Sequence, residues 1–153
     1  MKVAVAADHG GFPLKGPLVE MLNGTGHTVL DLGAFNDERT DYPDFARYVG
    51  EALQSGQAER GIVLCGSGVG ASIAANKMRG IRASIAHDTY SAHQGVEHDD
   101  MNVLVLGARV VGVELAFDIA RVFLGARFDG GSRYVARLKK VEAMERQLTS
   151  GGQ

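Results

Sequence analysis

The sequence predicts an α/β fold in which a parallel β-sheet carries helices on both of its faces. Five short apolar runs, typical of buried strands, alternate with longer segments whose apolar residues recur at helical spacing. The predicted strands are residues 2–7, 28–32, 61–65, 82–86 and 103–106. Glycine makes up 21 of the 153 residues, nearly twice its usual ~7%. Many of these glycines directly follow the apolar runs, as turns from strands into helices require.

The helices between these strands are predicted from their first turns and their apolar faces. The first predicted helix covers residues 12–22, and the second begins at 40–43 and ends at 53. The third follows the glycine loop and ends at about 78. The last three cover 89–97, 112–124 and 133 to about 148. Pro13 and Pro43 each suit a first helical turn, where the missing backbone donor costs nothing. Pro17 removes a donor one turn later, so we expect the start of the first helix to be irregular.

Length, charge and cysteine content limit the class of protein. A chain of 153 residues fits one domain, which we place at residues 1–148, followed by a flexible tail at 149–153. The net charge of −2 argues against a nucleic-acid partner, and no apolar run approaches the roughly 20 residues of a membrane helix. One cysteine excludes an intrachain disulfide, and the first strand leaves no room for a signal peptide. We therefore expect a cytoplasmic protein.

The third predicted strand ends at Cys65, the single cysteine, and continues into a glycine loop, Gly66-x-Gly68-x-Gly70. A helix follows, so the backbone N–H groups of this loop converge on one point and can bind an anion or a developing oxyanion. A thiol at such a position is expected to have a lowered pKa. The segment therefore places a nucleophile or base beside an oxyanion hole. The alternative is a buried structural cysteine, which is a common location for a free thiol.

Several better-known sites are excluded by the spacing of this loop. The third glycine comes one residue too early for the dinucleotide-binding pattern, and no Lys-Ser/Thr pair follows as in a phosphate-binding P-loop. Cysteine-dependent phosphatases need an arginine where this chain has Ala71. The five histidines show no metal-ligand spacing, so we predict no metal.

Other polar residues occupy positions where an α/β sheet binds ligands. Asp8 and His9 follow the first strand, where the carboxyl ends of parallel strands form a crevice, although Asp8 could instead cap the next helix. Tyr42, just before a helix, could line a pocket or serve in packing. Arg133 and Arg137 lie one turn apart at a helix start, where an anionic ligand would offset their repulsion by the helix dipole. Solvated arginines are the alternative.

A dense polar cluster at residues 98–102 enters the fifth strand from its N-terminal side. Ligands of parallel sheets bind at the opposite, carboxyl edge. This cluster would therefore reach a neighbouring subunit's pocket more easily than its own.

Together, these segments resemble the type B ribose-5-phosphate isomerases, whose wider family includes the allose-6-phosphate and galactose-6-phosphate isomerases. The resemblance is colinear from residue 2 to about 148, and the segments that carry it are 8–11, 38–43, 65–70, 74–77, 102–104, 107–112 and Arg133 with Arg137. It implies a three-layer α/β/α, Rossmann-like fold with a five-stranded parallel sheet. It also implies a homodimer or homotetramer with shared active sites, and aldose–ketose isomerisation through an enediolate without metal or organic cofactor.

The resemblance also implies a role for each matching residue. The catalytic residues would be Cys65 as the base between C1 and C2, Ser67 for hydroxyl protons, and His98 of the partner subunit for ring opening. The substrate-binding residues would be Asp8, Tyr42 and Asp99 for sugar hydroxyls, the amides of Gly66, Gly68, Val69 and Gly70 for the enediolate, His9, Arg133 and Arg137 for the phosphate, and Arg109 as a further contact.

Two positions depart from the pattern of the family. Asp99 stands where the family commonly has asparagine, and a carboxylate accepts hydrogen bonds but cannot donate them. This change leaves room for a phosphosugar other than ribose 5-phosphate. Ser67 replaces a frequent threonine and keeps the hydroxyl. The leading prediction is a pentose-phosphate isomerase. The alternatives are an isomerase of a tetrose or hexose phosphate and a non-catalytic sugar-phosphate sensor.

Overall fold

The protein is represented by a computed structural model that describes residues 1–150, apart from the side chains of 149 and 150. Five strands are formed by β1 (Lys2–Ala7), β2 (Thr28–Asp31), β3 (Arg60–Cys65), β4 (Ala83–Ile85) and β5 (Val103–Gly107). The helices are α1 (Phe12–Gly24), α2 (Tyr42–Gln54), α3 (Val69–Ala75), α4 (Thr89–Asp99), α5 (Val113–Gly125) and α6 (Ser132–Ser150). The rest of the predicted flexible tail, residues 151–153, lies outside the described part.

The five strands form one parallel sheet in the order β2-β1-β3-β5-β4, which confirms the predicted fold class. The central strand β3 pairs with β1 on one side and with β5 on the other, and Cys65 is in register with Gly107. Alternate residues of each strand point to opposite faces. Leu64 and Leu106 therefore join a core beneath α1, α4 and α5, while Val63 joins a core beneath α2 and α3.

The first helix is regular, so the predicted irregular start is wrong. Helix α1 begins at Phe12 and continues through Pro17. Pro13 and Pro17 both lie on the exposed face, where water can bind the carbonyl that Pro17 leaves unpaired. Leu14 and Leu18, which are buried on the opposite face, hold the helix against the sheet.

Two other elements are shorter than the sequence predicts. The helix after the glycine loop ends at Ala75 rather than near residue 78, and β4 spans three residues rather than five. Strand β4 lies at the edge of the sheet and pairs only with β5 over its three residues. None of the helices in residues 1–150 is long and apolar enough to cross a membrane.

Candidate active site

The turn after β1 packs directly on the backbone at the end of β3. A Cβ atom on Gly11 would overlap the carbonyl of Leu64 and would lie 2.6 Å from the nitrogen of Cys65, so only glycine fits there. The N–H of Asp8 donates to the Leu64 carbonyl at 3.1 Å. This close approach brings Asp8 next to Cys65, although 57 residues separate them in the chain.

Asp8 and Cys65 form a buried side-chain pair at the carboxyl edge of the sheet. The Sγ of Cys65 donates to Oδ2 of Asp8 at 3.1 Å. The other carboxylate oxygen, Oδ1, accepts the N–H of Gly11 at 2.9 Å. Only 5% of Asp8 and 8% of Cys65 is exposed. Asp8 therefore contacts the thiol, whereas the alternative that it caps α1 is wrong, because the N-cap residue is Gly11 and no side chain caps the helix.

The predicted lowering of the Cys65 pKa is wrong for this arrangement. Burial raises the pKa of the Cys65 thiol, and the hydrogen bond to Asp8 raises it further. Hydrogen bonds from the N–H groups of Gly68 and Gly66 lower the pKa, but by less. The sulfur is therefore a protonated thiol at neutral pH, and it already faces the amides that would stabilise a thiolate.

The glycine loop places its backbone and Tyr42 around the same point. Gly68 has φ +87°, a left-handed conformation that favours glycine, and it turns the chain from β3 into α3. A Cβ on Gly70 would lie 2.6 Å from Cζ of Tyr42, so the aromatic ring contacts the loop directly. The exposed side chain of Ser67 accepts the Val69 N–H through Oγ at 3.3 Å. Tyr42 thus lies at the loop, as the pocket interpretation predicted.

Arg109 reaches the glycine loop from the turn after β5. Its N–H donates to the Gly66 carbonyl at 3.0 Å, and its Nη1 would lie 3.5 Å from a Cβ on Gly66. A guanidinium group therefore borders the loop beside Cys65.

Asp8, His9 and Tyr42 line a cavity of about 450 Å³ at this edge. The other residues around it are Arg39, Thr40, Asp41, Pro43 and Asp44. Thr40 fixes His9, because its Oγ1 accepts the His9 N–H at 3.0 Å and its backbone lies 3.2 Å from His9 Nδ1. Sequence reasoning assigned no role to Arg39 and Thr40, although both lie within the 38–43 segment that carried the resemblance.

His87 is a third residue that sequence reasoning missed, and it supports the turn that carries Arg109. Its Nε2 accepts the Gly107 N–H at 2.9 Å, at the level where β5 pairs with Cys65. Burial lowers the pKa of His87 below its ordinary 6.5, and Asp88 opposes this shift. The imidazole is therefore neutral at pH 7, as an acceptor nitrogen requires.

This arrangement predicts a loss of stability in mild acid. Because the folded-state pKa of His87 is lowered, the unfolded chain binds more protons once the pH falls below 6.5, and folding weakens until His87 itself is protonated. His87→Gln keeps an acceptor but does not titrate. We expect the melting temperature of this variant to fall less than that of the wild type between about pH 7.5 and about pH 5. An equal fall in melting temperature for the two proteins, measured by thermal melts, would show that His87 does not cause the loss of stability in acid.

Four of the predicted site residues lie at the other edge of the sheet. Helix α4 starts at the carboxyl edge and runs ~16 Å back before β5 begins. His98, near its end, stacks on Tyr134 of α6, with ring centroids 4.5 Å apart, and its Nδ1 lies 2.9 Å from Nε2 of Gln94. The N–H of Asp129 donates to the Glu97 carbonyl at 2.9 Å, which brings the start of α6 to the same place. Helix α6 carries Arg133 and Arg137, and Asp99 ends α4.

A groove of about 880 Å³ runs between α6 and the edge strand β4. Asp99 and Arg137 line it together with apolar side chains that include Ile81 and Val141. Within one subunit, Cys65 and the cavity lined by Asp8 are therefore separate from His98, Asp99 and the two arginines. Among residues 1–150, no group of three or more histidine, cysteine or acidic side chains is placed to hold a metal ion.

Comparison with known proteins gives consistent results for sequence and structure. Residues 3–141 match the family model described as Ribose/Galactose Isomerase. The chain is 46% identical over 146 residues to ribose-5-phosphate isomerase B of Escherichia coli K12, covering 95% of this chain and 97% of that one. It is 39% identical to the D-erythrulose-4-phosphate isomerase of Pectobacterium atrosepticum, covering 96% of this chain and 97% of that one. The solved ribose-5-phosphate isomerase B of Clostridium thermocellum superposes with a TM-score of 0.94 at 46% identity, covering 97% and 99%. On both grounds, the chain belongs to the ribose/galactose isomerase family.

Proposed function

We propose that the protein interconverts ribose 5-phosphate and ribulose 5-phosphate, with Cys65 as the base that moves a proton between C1 and C2. The observation that supports this most strongly is the position of Cys65, the only cysteine in the chain. Its sulfur lies at the carboxyl end of β3 and faces the N–H groups of Gly66 and Gly68. The adjoining cavity, lined by Asp8, has a volume suited to a pentose phosphate.

The glycine loop accounts for the stabilisation of the intermediate. Proton removal from C2 puts negative charge on oxygen, and each preorganised N–H donor stabilises such a charge by about 3–4 kcal/mol. The loop from Gly66 to Gly70 supplies these donors, and the Ser67 hydroxyl is placed to exchange protons with substrate hydroxyls. Asp8 and Tyr42 hold the hydroxyls of the sugar. The proposed chemistry needs no metal or organic cofactor.

The phosphate site requires a second copy of the chain. His9 lines the cavity beside Asp8, whereas Arg133 and Arg137 lie at the opposite edge of the same subunit. We infer a homodimer, or a dimer of dimers, in which the two arginines and His98 of the partner subunit complete each site. Guanidinium groups match the geometry of phosphate oxygens, and remote phosphate binding orients the reacting carbons. A cytoplasmic location follows from a chemistry that depends on a reduced thiol.

The direct test is formation of ribulose 5-phosphate by the purified protein in the presence of a chelator. We expect turnover without added metal. Tight binding of ribose 5-phosphate without turnover would instead indicate a sensor and would contradict the proposal.

A second candidate is a tetrose-phosphate isomerase, because relatives named as D-erythrulose-4-phosphate isomerases are 39% and 38% identical to this chain. Asp99 replaces the asparagine that is common in the family and lies in the groove with Arg137. A panel of tetrose, pentose and hexose phosphates, compared by kcat/KM, distinguishes the two candidates. Asp99→Asn is expected to shift the ranking toward ribose 5-phosphate if this side chain contacts the sugar, and to leave it unchanged if it does not.

A further inference from the structure

We propose that Asp8, together with burial, keeps Cys65 protonated in the free enzyme and that a sugar hydroxyl, by taking the place of the thiol on Asp8, promotes conversion of Cys65 into the basic thiolate. The first half concerns the free protein alone, and the second half rests on the proposed function. Asp8 would thus be a switch for the base in addition to a contact for the substrate.

The geometry that supports this is the division of donors between the two oxygens of Asp8. Oδ1 accepts the N–H of Gly11 at 2.9 Å, which fixes the carboxylate relative to the turn. Oδ2 accepts the thiol of Cys65 at 3.1 Å. Asp8 also lines the substrate cavity, so a hydroxyl of a bound sugar can donate to the same carboxylate. The thiol and the substrate therefore compete for one acceptor.

The balance of charges around the sulfur depends on this contact. An accepted S–H hydrogen bond stabilises the thiol, and the carboxylate charge beside it opposes formation of a thiolate. The N–H groups of Gly66 and Gly68 favour the thiolate. When a sugar hydroxyl occupies Oδ2, the hydrogen bond that stabilises the thiol is lost, and the repulsion between the carboxylate and a thiolate is weakened. The two amides then oppose only burial, which still favours the thiol, without the added effect of the hydrogen bond to Asp8.

Among residues 1–150, Asp8 is the only charged side chain that hydrogen-bonds this sulfur. Arg109 borders the loop at Gly66, His87 bonds the turn after β5, and Tyr42 lies against the far end of the loop. Arg109 and Tyr42 contact the glycine loop and His87 bonds Gly107 of β5, whereas Asp8 contacts Sγ of Cys65 directly. Removing the carboxylate therefore isolates its effect on the thiol.

Every proton in the proposed cycle has a destination. On binding, the S–H bond of Cys65 breaks and its proton passes to solvent water, while the sugar hydroxyl donates to Asp8. The thiolate then takes the proton from C2, and the C–H electron pair enters the C1–C2 double bond of the enediolate. The carbonyl electron pair moves onto O1, and the Ser67 hydroxyl carries the proton of O2 to O1. The new S–H bond then delivers its proton to C1 while the electron pair on O2 forms the carbonyl of the ketose, which restores the thiolate. Product release lets the thiol recover its proton from water and rebind Asp8.

The first half is tested by the pH dependence of alkylation by iodoacetamide, read by intact mass, because Cys65 is the only thiol. Asp8→Asn keeps an acceptor for Gly11 and turns an amide donor toward the sulfur. We expect its thiol pKa to fall by at least about one unit, so that alkylation near neutral pH is about tenfold faster than in the wild type. The matched control is Asp41→Asn, at a carboxylate that lines the same cavity but does not hydrogen-bond the thiol, and its alkylation should match that of the wild type. A thiol pKa in Asp8→Asn equal to or above that of the wild type would overturn the proposal.

The second half is tested on the wild type with ribitol 5-phosphate, which has the hydroxyls of the substrate but no carbonyl to isomerise. We expect its binding to raise the ultraviolet absorbance of the thiolate and to release a proton, seen by calorimetry in buffers of different ionisation enthalpy. Asp8→Asn lacks the carboxylate that the hydroxyl would occupy, so both changes should be smaller in it than in the wild type. Binding without thiolate formation in the wild type would contradict the switch. None of these measurements requires turnover, so a protein that shows the switch but does not isomerise ribose 5-phosphate would refute only the proposed function.

Discussion

Replacing Cys65 with alanine is expected to lower kcat for ribose 5-phosphate isomerisation by about 10²–10⁴-fold, the usual contribution of a positioned general base. The amides of Gly66 and Gly68 remain in the variant, so binding of the substrate should change little. The change removes a small side chain at the edge of the core, and the fold should persist. The measurement is steady-state kinetics on ribose 5-phosphate, with thermal melts to confirm folding.

Cys65→Ser is the matched control for this prediction. A serine hydroxyl is similar in size and can donate to Asp8 as the thiol does. It is a much weaker acid than a thiol, so it does not ionise and cannot act as the base. We expect it to be as inactive as the alanine variant. Retention of more than about a tenth of the wild-type kcat by either variant would exclude Cys65 as the base.

Replacing Arg133 and Arg137 together with methionine is expected to lower kcat/KM for ribose 5-phosphate by about 10²–10⁴-fold. Each charge-assisted hydrogen bond contributes about 1.5–3 kcal/mol, and the two arginines would make at least one each to the phosphate. Both side chains are exposed in the single subunit, so its folding should be unaffected.

Unphosphorylated ribose provides the internal control for the double variant. It cannot use the arginines, so its slow isomerisation should be the same in the variant and in the wild type. Equal losses on ribose and on ribose 5-phosphate would show that the arginines act on structure rather than on the phosphate.

The strands and most helices of this fold were predictable because their apolar residues follow local periods. The order of the strands was not, because β1, β3 and β5 are adjacent in the sheet but distant in the chain. Pro17 shows the limit of local rules. The missing N–H of Pro17 predicts an irregular turn. The helix is regular because the buried leucines of α1 stabilise it and Pro17 lies on its exposed face.

The position of Cys65 beside the glycine loop was predictable, but the electrostatics around it were not. The spacing of Cys65 and the glycine loop indicated a base beside an anion site, and the N–H groups do face the sulfur. The predicted direction of the thiol pKa was wrong because burial, together with Asp8, which the close approach at Gly11 brings across from β1, outweighs those amides. His87 was missed for the same reason, since its partner Gly107 lies on a different strand.

The central claim is that each site joins the thiol edge of one subunit to the arginine edge of another. It is tested most directly by co-expressing Cys65→Ala with the Arg133→Met/Arg137→Met variant and assaying the purified mixture. Half of the randomly assembled dimers are hybrids with one intact site each, so about a quarter of wild-type activity should return. Co-expression of Cys65→Ala with Asp8→Ala, whose defects lie at the same edge, should restore nothing. If the first pair also stays inactive while hybrid dimers form, the thiol and the arginines do not share a site.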